Sequence, residues 1–110
     1  MSRRLDSQLL DAASAINAAG TIGGADIAQI DQCGVYVEFG AGVTGGVVKI
    51  ETASEPTYTG TWAVLATINW ATAATSHYTP LTGVYRALRV RISTTVANGT
   101  VNSWFAGNVT

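Results

Sequence analysis

Charge is scarce in this chain. Six Lys and Arg and seven Asp and Glu stand among 110 residues, or 12% of the sequence, about half the ~25% usual for soluble domains. A chain this short forms one domain with a high surface-to-volume ratio. With so few charges, much of its surface must be Thr, Ser, Asn, Gly and Ala. Such a surface repels other protein surfaces weakly and suits a molecule packed against copies of itself or a scaffold. The formal net charge of −1 gives no sequence-independent attraction to nucleic acid or to an anionic membrane, so neither is expected as a partner. No apolar run approaches the ~20 residues of a membrane-spanning helix. The opening MSRRLDSQLLDAASAINAAG is interrupted by Asp6, Ser7, Gln8 and Asp11, so export through a signal peptide is not expected.

Cysteine and histidine are nearly absent, with one of each. Cys33 cannot form an internal disulfide, so stability is left to packing or association. It opens an apolar strand-like run with no basic residue close by, which fits a small buried hydrophobe. His77 lies in ATSHYTPLTG, a loop by its composition. One His and one Cys do not make a zinc site, and no paired acid-base groups or nucleophile elbow occur at useful spacing. Catalytic, metal and cofactor residues are therefore not expected, and the chain reads as non-enzymatic. The glycines at 23–24 and 40–46 lack the spacing and Lys of a phosphate loop and are read as turns. Asn98-Gly99-Thr100 and Asn108-Val109-Thr110 match the N-glycosylation pattern, incidentally if the chain is not exported.

What is present is a two-part grammar. Residues 5–18 carry Leu5, Leu9, Leu10 and Ile16 as a partial apolar face with helix-favouring alanines, but no strong caps. Residues 1–26 are read as an N-terminal arm, short-helical or extended, that docks on a neighbour through Leu9, Leu10 and Ile16. From residue 27 to 110 the pattern turns to period two with frequent glycine turns, which predicts a small antiparallel β-sandwich, jelly-roll-like or Ig-like. Val35, Val37 and Phe39 face the core opposite Tyr36 and Glu38; Val48 and Ile50 oppose Lys49 and Glu51. Trp62, Val64, Ala66, Ile68 and Trp70 form one row, Val84, Leu88, Val90 and Ile92 another. Val101 and Phe105 oppose Trp104. Weaker strands are expected near 27–31 and 73–78.

Half of the basic residues fall in VYRALRVRIST, residues 84–94. Period two puts Arg89 and Arg91 on one face with Tyr85, and leaves Arg86 in the apolar row, its stem along the core rim. Glu38 and Glu51 are the available cross-strand partners. Surface pairs contribute only ~0–1 kcal/mol each, and Tyr, Trp and Arg on one face also make the composition of a contact surface. Tyr85, Arg89 and Arg91 are accordingly candidate partner contacts.

The run LTGVYRALRVRISTTVANGTVNSWFAGN, with GTWAVLATI before it, resembles a cadence of small β-sandwich accessory proteins of tailed bacteriophage virions: a tryptophan strand, a loop, a Y-R-x-L-R-V strand and a G-T-V strand. It covers residues 59–108. The resemblance implies a capsid decoration (cement) protein located in the virion and made in the host cytoplasm. Its partners would be the major capsid protein or other virion proteins, and it would be a homo-oligomer, a trimer most of all. The alternative is a carbohydrate- or receptor-binding module of a tail, baseplate or head fibre, with Trp70, His77 and Tyr78 as a stacking platform for sugars.

Overall fold

The computed structural model describes residues 3–24, 26–72 and 74–110. Among these residues eight strands are formed: β1 (Arg3–Ala13), β2 (Ala19–Ile22), β3 (Ile30–Phe39), β4 (Gly45–Ala53), β5 (Ala63–Asn69), β6 (Ser76–Leu81), β7 (Ala87–Ala97) and β8 (Val101–Val109). They make two four-stranded sheets in the orders β1-β8-β3-β6 and β2-β7-β4-β5, called here the first and second sheet. Strand β1 pairs with β8, β2 with β7, β3 with β6 and β4 with β5, all antiparallel. This is one long hairpin rolled up until β8 also meets β3 and β7 meets β4. The topology is a jelly roll, which decides between the two sandwich forms the sequence left open.

The core lies between the sheets and follows the expected alternation along most strands. Val35, Val37, Phe39, Val101 and Phe105 from the first sheet meet Val48, Ile50, Leu88, Val90 and Ile92 from the second, all buried. Ser103 is the polar exception on this inner side, and its hydroxyl donates to the Tyr36 carbonyl at 2.7 Å. Cys33 is buried as expected. Asn98 takes a left-handed φ of 61° in the tight β7–β8 turn, a conformation Asn tolerates better than most residues. That turn accounts for the Asn-Gly pair.

The N-terminal segment departs from the expected arm. Residues 5–18 contain no helix; Arg3–Ala13 is a strand paired along β8. Bulges between Gln8 and Leu10 and between Leu10 and Ala13 interrupt its alternation. Leu9 and Leu10 can therefore both reach the core, and the period-two signal disappears from the sequence. Alanine's helix propensity is a weak prior against a ladder of cross-strand bonds and two buried leucines. The following turn docks on β7, with Asn17 N donating to the Ile92 carbonyl at 2.8 Å and Val96 N to the Ser14 carbonyl at 2.9 Å. Strand β2 then passes so close to β1 that a Cβ on Gly20 would meet the Leu9 backbone.

Two further rows break. A bulge opposite Ile50 and Glu51 reverses the facing of β5, so Ile68 points inward while Val64 opposes Glu51 on the outer side. Val84 and Arg86 precede β7, which starts at Ala87; Val84 is 65% exposed rather than in the core, and Arg86 is exposed as well. The weaker strands start later than expected, at Ile30 and Ser76; residue 73, the expected start of the second, lies outside the described residues.

Candidate functional site

Arg89 and Arg91 stand on the outer side of the second sheet, where Glu51 opposes Arg89 and Lys49 opposes Arg91 in register. Glu51 is only 3% exposed. Its Oε1 accepts from Arg89 Nε at 2.7 Å and from Arg91 Nε at 3.0 Å, and its Oε2 accepts from Arg91 Nη2 at 3.2 Å. Arg91 Nη1 also donates to Asn17 Oδ1 at 3.0 Å, tying the β1–β2 turn to the cluster. The Arg89 guanidinium lies 4.3 Å from the centroid of the Trp62 ring, a stacking geometry favoured by the ring quadrupole. Trp62 Nε1 donates to the Tyr58 carbonyl at 3.0 Å, so the β4–β5 loop folds over the cluster. Burial alone would raise the Glu51 pKa, but the hydrogen bonds from Arg91 and Arg89, and then their charges, hold the carboxyl below its ordinary 4.5. The same bond raises the Arg91 pKa. The arginines are thus occupied by an internal network, and the buried Trp62 belongs to it.

Arg89 and Arg91 thus share the outer face expected of them, whereas several other candidate contact residues are placed differently. Leu9 and Leu10 are core residues and cannot present themselves to a partner. Tyr85 leaves the arginine face: its backbone bridges to Ile30, its ring packs on the core, and its hydroxyl donates to the Thr82 carbonyl. Ile16 remains exposed in the β1–β2 turn. Glu38 lies on the first sheet, away from the arginines. Trp70, His77 and Tyr78 do not form a common platform. Trp70 packs against the core. The His77 ring makes an edge-on contact with Phe39, with centroids 6.1 Å apart, and its Nε2 is buried with no hydrogen-bond partner among the described residues. Only Tyr78 of the three is exposed on a sheet face.

Tyr78 has other company. On the outer face of the first sheet, Gln8 opposes Trp104, Trp104 opposes Tyr36, and Tyr36 opposes Tyr78. One row therefore runs across all four strands, with three aromatics in succession. Tyr36 is 49% and Tyr78 52% exposed, and their ring centroids are 4.7 Å apart at an interplanar angle of 46°. The Tyr78 ring lies over Gly34, where a Cβ would collide with its hydroxyl. Beside the row, a groove of about 440 Å³ is lined by Arg4, Asp6, Gln8, Tyr36, Glu38 and Trp104 among others. The alternation of β3 and β8 put Tyr36 and Trp104 on outward faces in the sequence, but nothing there made those strands neighbours.

The four sheet edges differ. Edge β1 carries Arg3, Arg4, Asp6 and Asp11 as well as its bulges. Edge β2 has four residues, and edge β6 contains Pro80. Charges, bulges, shortness and proline all discourage pairing with a further strand. Edge β5, AVLATIN, has neither charge nor proline. Val64 and Leu65 are exposed at its bulge, and residues 66–69 beyond it keep a regular register against β4.

No protein-family model matches this chain, and the search of curated proteins found no match.

Proposed function

We propose that this chain is a non-enzymatic structural component of a bacteriophage virion, a capsid decoration or cement protein that stabilises the shell through protein-protein contacts. The observation that carries the reading is the β5 edge, which has no charge and no proline and keeps a regular register over residues 66–69. The other three edges among the described residues bear charge, proline or extreme shortness, while β5, whose one bulge is confined to Leu65, leaves main-chain donors and acceptors beside exposed Val64 and Leu65. An extended segment of a shell protein can add to such an edge through main-chain hydrogen bonds, with Val64 and Leu65 supplying apolar contact. The low charge of the chain favours dense packing of many copies, and the resemblance of residues 59–108 to phage accessory proteins supports a virion as the assembly. Repetition over equivalent sites turns a modest contact into strong reinforcement of a shell. The expected docking arm no longer supports this role, because its leucines are inside the fold.

A lysine on the edge tests the reading. Leu65→Lys adds a solvated charge at an exposed position and is expected to fold as the parent does, while its binding to purified shells falls by about tenfold or more. In source particles, quantitative mass spectrometry is expected to give a fixed simple ratio of this chain to the major shell protein. Absence from the particles, or undiminished attachment of Leu65→Lys, would overturn it.

A further inference from the structure

The outer face of the first sheet is the feature that neither the core nor the β5 edge uses. We infer that it is a carbohydrate-binding platform, with Trp104, Tyr36 and Tyr78 stacking on sugar rings and Glu38, Asp6 and Gln8 bonding to their hydroxyls. This goes beyond the proposed structural role and does not depend on it.

Three features select this class of ligand. First, the aromatics stand on adjacent strands in one register row, and neighbouring strands are about 4.8 Å apart. The Tyr36 and Tyr78 ring centroids are 4.7 Å apart, Trp104 follows on the next strand, and the half-exposed tyrosines offer faces to a sugar ring. Amphipathic rings of this kind present an apolar surface with a polar tip. Trp62 and Tyr85 spend their polar groups inside the fold. Among the described residues Tyr36, Tyr78 and Trp104 make no such intramolecular side-chain bond.

Second, the fringe consists of acceptors and amides. Glu38 stands beside the row, directly opposite Asn102 on β8. Asp6 lines the groove on the other side of the row, opposite Ala106, and Gln8 ends the row itself. Arg4 is paired with Asp6 at 3.2 Å, both well exposed, so the basic group is matched locally. Carboxylates and amides suit a ligand rich in hydroxyl donors, whereas the centres of protein interfaces are depleted in Asp and Glu. The exposed aliphatic residues of the second sheet lie elsewhere, at the β5 edge.

Third, the surface has room. Gly34 opposes Ala106 next to the aromatic row, and the Tyr78 ring occupies the space above Gly34. The groove of about 440 Å³ falls within the roughly 300–1,000 Å³ of small-ligand sites. The requirement for glycine at position 34, under the Tyr78 ring, fixes that ring flat along the sheet.

The experiment is a nuclear magnetic resonance titration of the full chain with soluble oligosaccharides of glucose, galactose, mannose and N-acetylglucosamine. At least one series is expected to produce saturable shifts at the Trp104 indole N–H and at the amides of residues 34–38 and 76–79. Trp104→Ala and Tyr78→Ala are expected to weaken that binding by about tenfold. Tyr78 is half exposed, so its variant carries the test if Trp104→Ala does not fold. Leu65→Lys should bind the sugars as the parent does, which separates this site from the β5 edge. The inference is overturned if no oligosaccharide gives saturable shifts, or if binding survives in the folded Tyr78→Ala variant. It is equally overturned if purified shell protein, and no sugar, perturbs these resonances, since the face would then be a protein interface.

Discussion

Replacing Glu51 with Gln keeps the size of a nearly buried side chain and removes its charge. The carboxylate accepts three bonds from two guanidiniums, at 2.7, 3.0 and 3.2 Å. Glutamine has one oxygen for them and turns its amide N–H groups toward Arg91. A hydrogen bond to a charged group contributes about 1.5–3 kcal/mol. Each arginine side chain keeps about a fifth of its exposure, 23% and 22%, so water relieves part of the loss. About 2 kcal/mol is therefore expected for Glu51→Gln at pH 7, which for a chain of this length lowers Tm by about 9 °C. The gap also depends on pH. The folded carboxyl titrates below its ordinary 4.5, so its stabilisation is complete above that value and is lost as pH falls through the depressed folded one. Urea midpoints of parent and variant, measured from pH 7 down to pH 3, should converge toward the acid end. A gap below about 0.5 kcal/mol at pH 7 would refute the network as a stabilising unit. A gap that stays constant to pH 3 would refute the assignment of its origin to the Glu51 charge.

Removing residues 1–13 deletes β1, leaves the β8 edge bare and takes Leu9 and Leu10 from the core. Each buried leucine is worth about 2–5 kcal/mol, against a total of about 5–15 kcal/mol for a typical domain. The truncated chain should show no cooperative unfolding transition by circular dichroism; a sharp transition near the parent's would mean that the segment is a dispensable arm. Burial first, and then the charge of Asp31, push the Cys33 thiol up to about 11. At pH 8 about one molecule in a thousand carries the thiolate. Native protein should therefore resist alkylation until it is unfolded in urea, and rapid stoichiometric labelling without denaturant would contradict its burial.

The sequence was most informative where strands are regular and least where a bulge or a distant partner decides. Val35, Val37 and Phe39, like Val48 and Ile50, alternate without interruption, and their inward facing could be read directly. Glu51 could be named as a partner for Arg89 and Arg91 because β4 and β7 stay in register from Val48 to Ala53. Glu38, equally plausible by alternation, went to the other sheet. In β1 two bulges bring Leu9 and Leu10 inward together, and the resulting spacing imitates a helix face. In β5 a single bulge sends Trp62 to the outer side, where it covers Arg89. Tyr85 lost its expected face because β7 starts two residues later, at Ala87. Periodicity measures facing only while the register holds.

The aromatic row was hidden for a different reason. Tyr36, Tyr78 and Trp104 come from β3, β6 and β8, and only the jelly-roll order makes those three strands consecutive. The same order places the β5 edge on the other sheet. The two proposed contacts therefore use different layers of one sandwich: strand addition at β5 occupies a margin of the second sheet, and the first sheet keeps its outer face clear. Attachment to a shell and recognition of a sugar thus make no competing demands on any residue. That separation is why Leu65→Lys and Tyr78→Ala are expected to have independent effects, additive in a double variant, as substitutions without shared partners are.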